Sequence, residues 1–174
     1  MRKSNSFLQQ GSSLIEVLVT ILILSFGMLS LAGMMAYAVQ MPKLSGYRAT
    51  AMMLGASHVE RMRANIAGFT GGAYNEAMTF NTVLATSNCV YPSCDAVAIA
   101  SLDKAQSNAE MRRELPLGGM RMVCNGACTS REGDLWILWQ EPSTFAAINN
   151  NNDECPASGT YTGTPRCIHI RFKL

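Results

Sequence analysis

Residues 14–39 read LIEVLVTILILSFGMLSLAGMMAYAV, and this stretch decides how the 174-residue chain is organised. It carries a single charge, at Glu16. About 20 apolar residues are enough for a helix to cross the hydrocarbon core of a bilayer. The pattern therefore predicts one apolar helix near the N-terminus that is long enough to span a membrane.

The charges and cysteines on either side of this helix predict its orientation. Arg2 and Lys3 precede it, and no acidic residue occurs before Glu16. This asymmetry is typical of a cytoplasmic N-terminus. All six cysteines lie beyond residue 88, which is typical of disulfides in an oxidising compartment. We expect a single-pass protein of the inner membrane with a periplasmic C-terminal domain.

Two ordinary interpretations of the helix fit less well. A secretory signal peptide has a shorter apolar core and a cleavage site at its far end. A generic membrane anchor fits the length but leaves Glu16 unexplained. A carboxylate within an apolar span costs roughly 2.5–3.5 kcal/mol, so it usually has a partner and a purpose.

The run Gly11-Ser-Ser-Leu-Ile-Glu16 follows a short basic leader and opens the apolar helix. It resembles the prepilin cleavage motif of type IV pilins and type II secretion pseudopilins, although Ser12 stands where that family usually has phenylalanine. The resemblance implies that a membrane-bound prepilin peptidase cuts between Gly11 and Ser12 and methylates Ser12. Glu16 would then offset the cationic terminal amine of a neighbouring subunit in a filament.

Beyond the bilayer the helix is predicted to continue to residue 67. Apolar residues recur there at intervals of three and four, which indicates an amphipathic helix with one buried face. Pro42 is expected to kink or interrupt the helix, and Gly68 and the Gly71-Gly72 pair are expected to end it. The predicted buried stripe comprises Leu44, Tyr47, Ala51, Leu54, His58 or Val59, Met62 and Ile66.

The chain thus divides into a leader (1–11), an apolar helix (12–40), an amphipathic helix (41–67) and a periplasmic domain (68–174). Asp95 is predicted to cap a second helix running to Glu114. Its inward face should hold Ile99, Leu102, Ala105, Ala109 and Met111. Three strands are predicted, Met120–Cys124, Leu135–Trp139 and Cys167–Leu174. These elements predict an α+β domain with an antiparallel sheet against the end of the long helix, and the resemblance implies the type IV pilin fold.

The six cysteines allow fifteen disulfide connectivities, and their spacing alone does not choose among them. We predict the three local pairs Cys89–Cys94, Cys124–Cys128 and Cys155–Cys167, the last anchoring the Asn149–Asn152 stretch. The rival interpretation is a zinc site built from Cys124, Cys128, Cys155 and Cys167. It lacks a CxxC pair and would lie in an oxidising compartment, so we expect no metal and no cofactor.

Nothing in the sequence indicates catalysis. The two histidines, His58 and His169, have no recognisable nucleophile motif beside them, and no phosphate-binding loop follows a strand. The net charge of +2 is too small to suggest a nucleic-acid surface. We therefore expect a structural or interaction protein that does not bind nucleic acid.

The helix and several later pieces, including the turn Leu115-Pro-Leu-Gly118, resemble the minor pilins called type IV pilus modification proteins. That resemblance implies a subunit that contacts other minor pilins and the major pilin through N-terminal helices, and that meets the assembly machinery of the inner membrane. Its expected role is pilus assembly, surface motility and adhesion. Two alternatives remain open, a minor pseudopilin of type II secretion and a membrane-anchored periplasmic binding protein that never assembles.

Overall fold

The computed structural model of the chain describes residues 13–76, 83–84, 89–90, 92–141, 153, 155–156 and 165–174. In this part of the chain three α-helices precede and border a small sheet. The helices are α1 (Leu14–Ala64), α2 (Ile66–Thr70) and α3 (Ala96–Glu114). The strands are β1 (Gly119–Cys124), β2 (Glu132–Trp139) and β3 (Arg166–Lys173), with a short 3-10 turn at Cys128–Ser130.

The chain forms two compact units, residues 1–42 and residues 43–174. Helix α1 belongs to both, because its hydrogen-bonded helix continues through Pro42. The prediction that Pro42 interrupts the helix is therefore wrong. Proline removes a single backbone donor, and the turns on either side of it retain theirs.

The second half of α1 buries the predicted stripe. Ala51, His58, Val59 and Met62 are buried, and Tyr47 and Leu54 pack against the same core. Gly55 is buried as well, between the helix and the sheet. Because these residues recur every three or four positions, one face of α1 lies on the domain and the other faces outward.

Helix α1 ends three residues earlier than predicted. Asn65 follows it and caps α2, with its side-chain oxygen accepting the Gly68 N–H at 3.2 Å. Its amide also donates to the Ala96 carbonyl at 2.8 Å. Gly68 lies within α2, so the prediction that it ends the long helix is wrong. A Cβ at Gly68 would lie 2.7 Å from the Ala96 carbonyl oxygen, so its smallness serves a close contact with α3.

Helix α3 begins where the sequence predicts. Asp95 accepts the Ala98 N–H at 2.7 Å as the N-cap, and Ala105 and Met111 are buried. Ala109 is exposed, which corrects the predicted inward face. Polar Ser107 and Asn108 are buried there instead, each hydrogen-bonded to another part of the chain.

The three described strands form one antiparallel sheet in the order β1-β2-β3. Met122, Leu135 and Ile170 lie opposite one another in register, as do Arg121, Trp136 and His169. Since successive side chains alternate between faces, the first row points to the core and the second points away from it. The domain is therefore an α+β structure, as predicted.

The core lies between the sheet, α3 and the second half of α1. Its larger fully buried side chains come from all three layers and from the segment after α2: Met62, Phe69, Tyr74, Met111, Leu115, Met120, Met122, Leu135, Ile137 and Trp139.

Candidate functional site

The candidate site is the N-terminal part of α1, where the sequence predicts cleavage and assembly. Gly11 and Ser12 lie outside the described residues. Ser13 is the residue before α1, and its hydroxyl oxygen accepts the backbone N–H of Glu16 at 3.3 Å. Ser13 and Glu16 thus occupy the N-cap and third helical positions, the spacing typical of a capping box. This local role of Glu16 was overlooked in the sequence, although the Ser-x-x-Glu spacing indicates it.

Glu16 also lies in the first turn of a long helix. The aligned peptide dipoles there present partial positive charge, which favours a carboxylate. The structure thus places a negative group at the start of an apolar helix, three residues after its cap. A carboxylate in this position can meet a cationic group from another chain without disturbing the helix that carries it.

The apolar part of α1 has no core of its own to pack on. Its large side chains from Leu14 to Val39 are about half exposed or more, and none of the most apolar window is buried inside the protein. By length and composition this helix could cross a membrane. A helix so apolar on all sides is suited to lipid or to other helices.

The polar side chains within this apolar part are satisfied by the helix itself. The Thr20 hydroxyl donates to the Val17 carbonyl at 2.8 Å, and the Ser25 hydroxyl donates to the Ile21 carbonyl at 2.7 Å. In hydrocarbon an unpaired hydroxyl would be strongly unfavourable, so these bonds make the segment compatible with a bilayer.

A buried polar pair connects α1 to α3. The Nδ1 atom of His58 lies 2.8 Å from the Ser107 hydroxyl oxygen, and both side chains are almost fully buried. Burial, together with the nearby cations Arg61 and Lys104, lowers the pKa of His58 to about 4. The sequence does not predict this pair, because 49 residues separate its members. Its burial keeps substrate away, so it serves packing and not catalysis.

A second polar layer surrounds that pair. The Tyr74 hydroxyl donates to Asp103, and burial followed by this bond raises the pKa of Tyr74. Arg61 reaches across from α1 to contact Glu110 at 3.0 Å and Asp103 at 3.7 Å. Lys104 pairs with Glu76 at 3.0 Å. These contacts join α1, α3 and the segment after α2 into one unit.

The outward face of the sheet carries an aromatic and charged row. The rings of Trp136 and His169 stack with centroids 4.6 Å apart, and the Arg121 guanidinium lies 5.7 Å from the Trp136 ring centroid. His169 Nε2 lies 2.8 Å from an Asp134 carboxylate oxygen. His169 was predicted to lie on the polar face of its strand, and it does.

The structure joins the cysteines as Cys89–Cys94, Cys124–Cys128 and Cys155–Cys167. The Cα atoms of these pairs are 5.1, 5.1 and 5.2 Å apart. These are the three local pairs that the sequence favoured, and they divide the rival zinc ligands between two disulfides. The Asn149–Asn152 stretch, which the last pair was expected to anchor, lies outside the described residues.

A buried ion cluster lies beside the last disulfide. Arg166 Nε contacts Glu141 at 3.1 Å, and its Nη1 contacts Asp153 at 3.3 Å. Asp153 also accepts the Cys167 N–H at 3.3 Å and pairs with Arg48 of α1 at 2.8 Å. The cluster therefore connects the start of β3 to the long helix.

No protein-family model matches the chain, and no curated protein or solved structure matches it either. The described part of the chain contains no group of three or more His, Cys, Asp or Glu side chains arranged to hold a metal ion. The features that bear on function are therefore its own: a capped, apolar, uncovered helix with one acidic residue, followed by a disulfide-linked α+β domain.

Proposed function

We propose that the chain is the precursor of a type IV pilin-like subunit. Its leader would be removed between Gly11 and Ser12, and its apolar helix would serve first as membrane anchor and then as the core of a filament. Within that class we propose a minor pilin resembling the type IV pilus modification protein, PilV. It would lie in the inner membrane with its disulfide-linked domain in the periplasm before joining the pilus.

One observation carries the proposal: Glu16 lies in the first turn of a helix whose large apolar side chains are exposed from Leu14 to Val39. A helix buried in its own domain would not need to be apolar all round, and a simple anchor would not need a carboxylate. Association between helices accounts for the apolar surface. Pairing with a cationic amine of another subunit accounts for the carboxylate.

The helix also carries small residues where other helices can approach. No atom lies within 4 Å of a Cβ built at Gly27 or Gly33, so neither glycine is needed for a contact within the chain. Small residues on apolar helices allow close helix–helix contact. This supports lateral association with the N-terminal helices of other minor pilins and of the major pilin.

The proposal assigns the chain no catalytic role and no cofactor. Chemistry is done to it, at the Gly11–Ser12 bond, by a prepilin peptidase that also methylates Ser12. The remaining partners would be the other pilins and the inner-membrane machinery that adds subunits to the filament.

N-terminal processing is the direct test. The protein should be isolated from cells with and without the prepilin peptidase, and its N-terminus read by mass spectrometry. We expect N-methylated Ser12 with the peptidase and the uncut leader without it. Gly11→Glu should leave the leader attached, and Gln10→Glu, a neighbouring change of the same charge, should not. A mature chain beginning at Met1, or one lacking residues 14–39, would refute the proposal.

A deletion strain separates the pilus from the type II secretion system. Loss of surface pili and twitching with normal exoprotein secretion is expected for the minor pilin. The reverse pattern would identify a pseudopilin. No change in either would favour an anchored periplasmic protein that does not assemble.

A further inference from the structure

Leu117 has an unusual backbone for its residue type. Its φ is +51°, and its side chain is 44% exposed. It is the third residue of a turn in which the Gly118 N–H donates to the Leu115 carbonyl at 3.0 Å, with Pro116 in second place. Proline followed by a residue of positive φ is the pattern of a type II turn, whose third position favours glycine or asparagine.

Leucine at this position works against folding on two counts. The left-handed region brings the Cβ of an L-residue too close to the backbone, so it is unfavourable for large side chains. The exposed part of the side chain also gains no burial in return. A strained and exposed apolar residue indicates a contact outside its own chain.

A groove lies at the same end of α3 as Leu117. Its volume is about 360 Å³, and its apolar wall is formed by Met53, which is 74% exposed, and by half-buried Leu54. The remaining lining residues are Thr50, Glu110, Arg113 and Glu114. A leucine side chain is small enough to enter a space of this size.

The charges on the rim of this groove favour an apolar occupant. Arg113 pairs with Glu114 at 2.8 Å, and Glu110 pairs with Arg61 at 3.0 Å. A charged ligand would have to compete with these existing pairs. An apolar side chain would leave them intact and would cover Met53, removing apolar surface from water.

We propose that Leu117 is a docking residue that enters the Met53–Leu54 groove of a second copy of this chain. The groove includes Glu114, three residues before Leu117 in sequence. When an anchor and its receptor are neighbours on one surface, a twofold arrangement engages both anchors at once. The contact is therefore reciprocal. It does not depend on the pilus proposal, because an anchored protein outside any filament can form it.

Photo-crosslinking of the full-length chain in membranes tests the contact directly. A benzophenone amino acid is placed at residue 117 and irradiated, and the product is mapped by mass spectrometry. We expect a covalent dimer joined to the peptide that contains Met53 and Leu54. Absence of a dimer, or a cross-link to another protein or another part of the chain, would overturn the proposal.

Paired variants test the side chain itself. Leu117→Asn keeps a residue that tolerates positive φ but removes the apolar anchor. Val97→Asn is the matched control, because Val97 is 63% exposed at the opposite end of α3. With two epitope-tagged copies in detergent, we expect Leu117→Asn to reduce co-purification about tenfold or more and Val97→Asn to leave it unchanged. Equal co-purification of the two variants contradicts docking through Leu117.

Thermal unfolding of the same variants separates docking from packing. Leu117→Asn should unfold at or above the temperature of the unmodified chain, because it relieves an unfavourable backbone without opening a core. A Tm lowered by several degrees would show that Leu117 packs within its own chain, which would also overturn the proposal.

Discussion

Gly55 of α1 lies directly against Ile170 of β3. A Cβ at residue 55 would overlap the Ile170 Cδ1 atom and would lie 3.3 Å from Cγ1 of Ile137 on β2. The missing side chain is therefore what lets the long helix approach the sheet. The amphipathic half of α1 is fixed on the domain by this close contact together with the apolar stripe around it.

Gly55→Ala is expected to destabilise the domain by about 1–3 kcal/mol, because the added methyl overpacks the interface between helix and sheet. Gly46→Ala is the matched control in the same helix, where no atom lies within 4 Å of the added Cβ. It should stabilise by about 0.5–1 kcal/mol through helix propensity. Denaturant unfolding of the full chain in detergent measures both. A Gly55→Ala midpoint at or above that of Gly46→Ala would contradict the close contact.

His58 should make the stability of the domain depend on pH. Its folded pKa is lowered to about 4 by burial and by the cations Arg61 and Lys104, whereas the unfolded value is about 6.5. The neutral form is favoured in the folded state, so the contribution is complete above pH 6.5. It is lost as the pH falls toward 4, because the unfolded chain takes up a proton first.

The measurement compares the unfolding free energy at pH 7 and pH 4.5 in the natural chain and in His58→Gln. Glutamine keeps a hydrogen-bonding group toward Ser107 but does not titrate. We expect the loss between the two pH values to be about 2 kcal/mol smaller in the variant. Equal losses would show that His58 is not held neutral by the fold.

Glu16 has two roles that substitution can separate. Glu16→Gln keeps a side chain suited to the third helical position after Ser13 but removes the charge. If pairing with a neighbouring amine is the reason for Glu16, Gln and Ala should impair incorporation into pili alike, while both precursors are still cleaved. Immunoblots of sheared pili and of membranes measure this.

Ser13→Ala is the control for the helix cap. It removes the hydroxyl that accepts the Glu16 N–H and leaves the carboxylate in place. It should assemble nearly normally, because a lost cap weakens a helix by about 1 kcal/mol. Normal incorporation of Glu16→Gln would contradict the charge-pairing account.

The buried contact between Arg166 and Glu141 should be sensitive to removal of one partner. Their side chains are 8% and 2% exposed. Arg166→Met leaves a carboxylate buried without its cation and should destabilise the domain by about 3 kcal/mol or more. Adding Glu141→Leu should recover most of that loss, while Asp153 retains Arg48 and the Cys167 N–H. A double variant no more stable than Arg166→Met alone would show that the pair is not coupled.

Local patterns predicted the elements well. The period of three to four identified the buried side of α1, Asp95 identified the start of α3, and alternation identified β3. Each of these signals lies within one segment, because helix and strand geometry fix which neighbours share a face. The glycines were less informative. Gly68 was predicted to end the long helix, but it instead makes room for the Ala96 carbonyl of α3.

The sequence by itself determined the apolar helix with its one acidic residue, the α+β composition of the domain and the grouping of the cysteines, since these follow from residue types at close spacing. Only the tertiary structure decided that His58 meets Ser107, that Arg166 meets Glu141 and Asp153, and that Leu117 adopts a positive φ. The first two depend on residues far apart in the chain, and the third on how the turn after α3 enters the sheet. Packing of the whole domain sets such relationships, and no short stretch of sequence contains them.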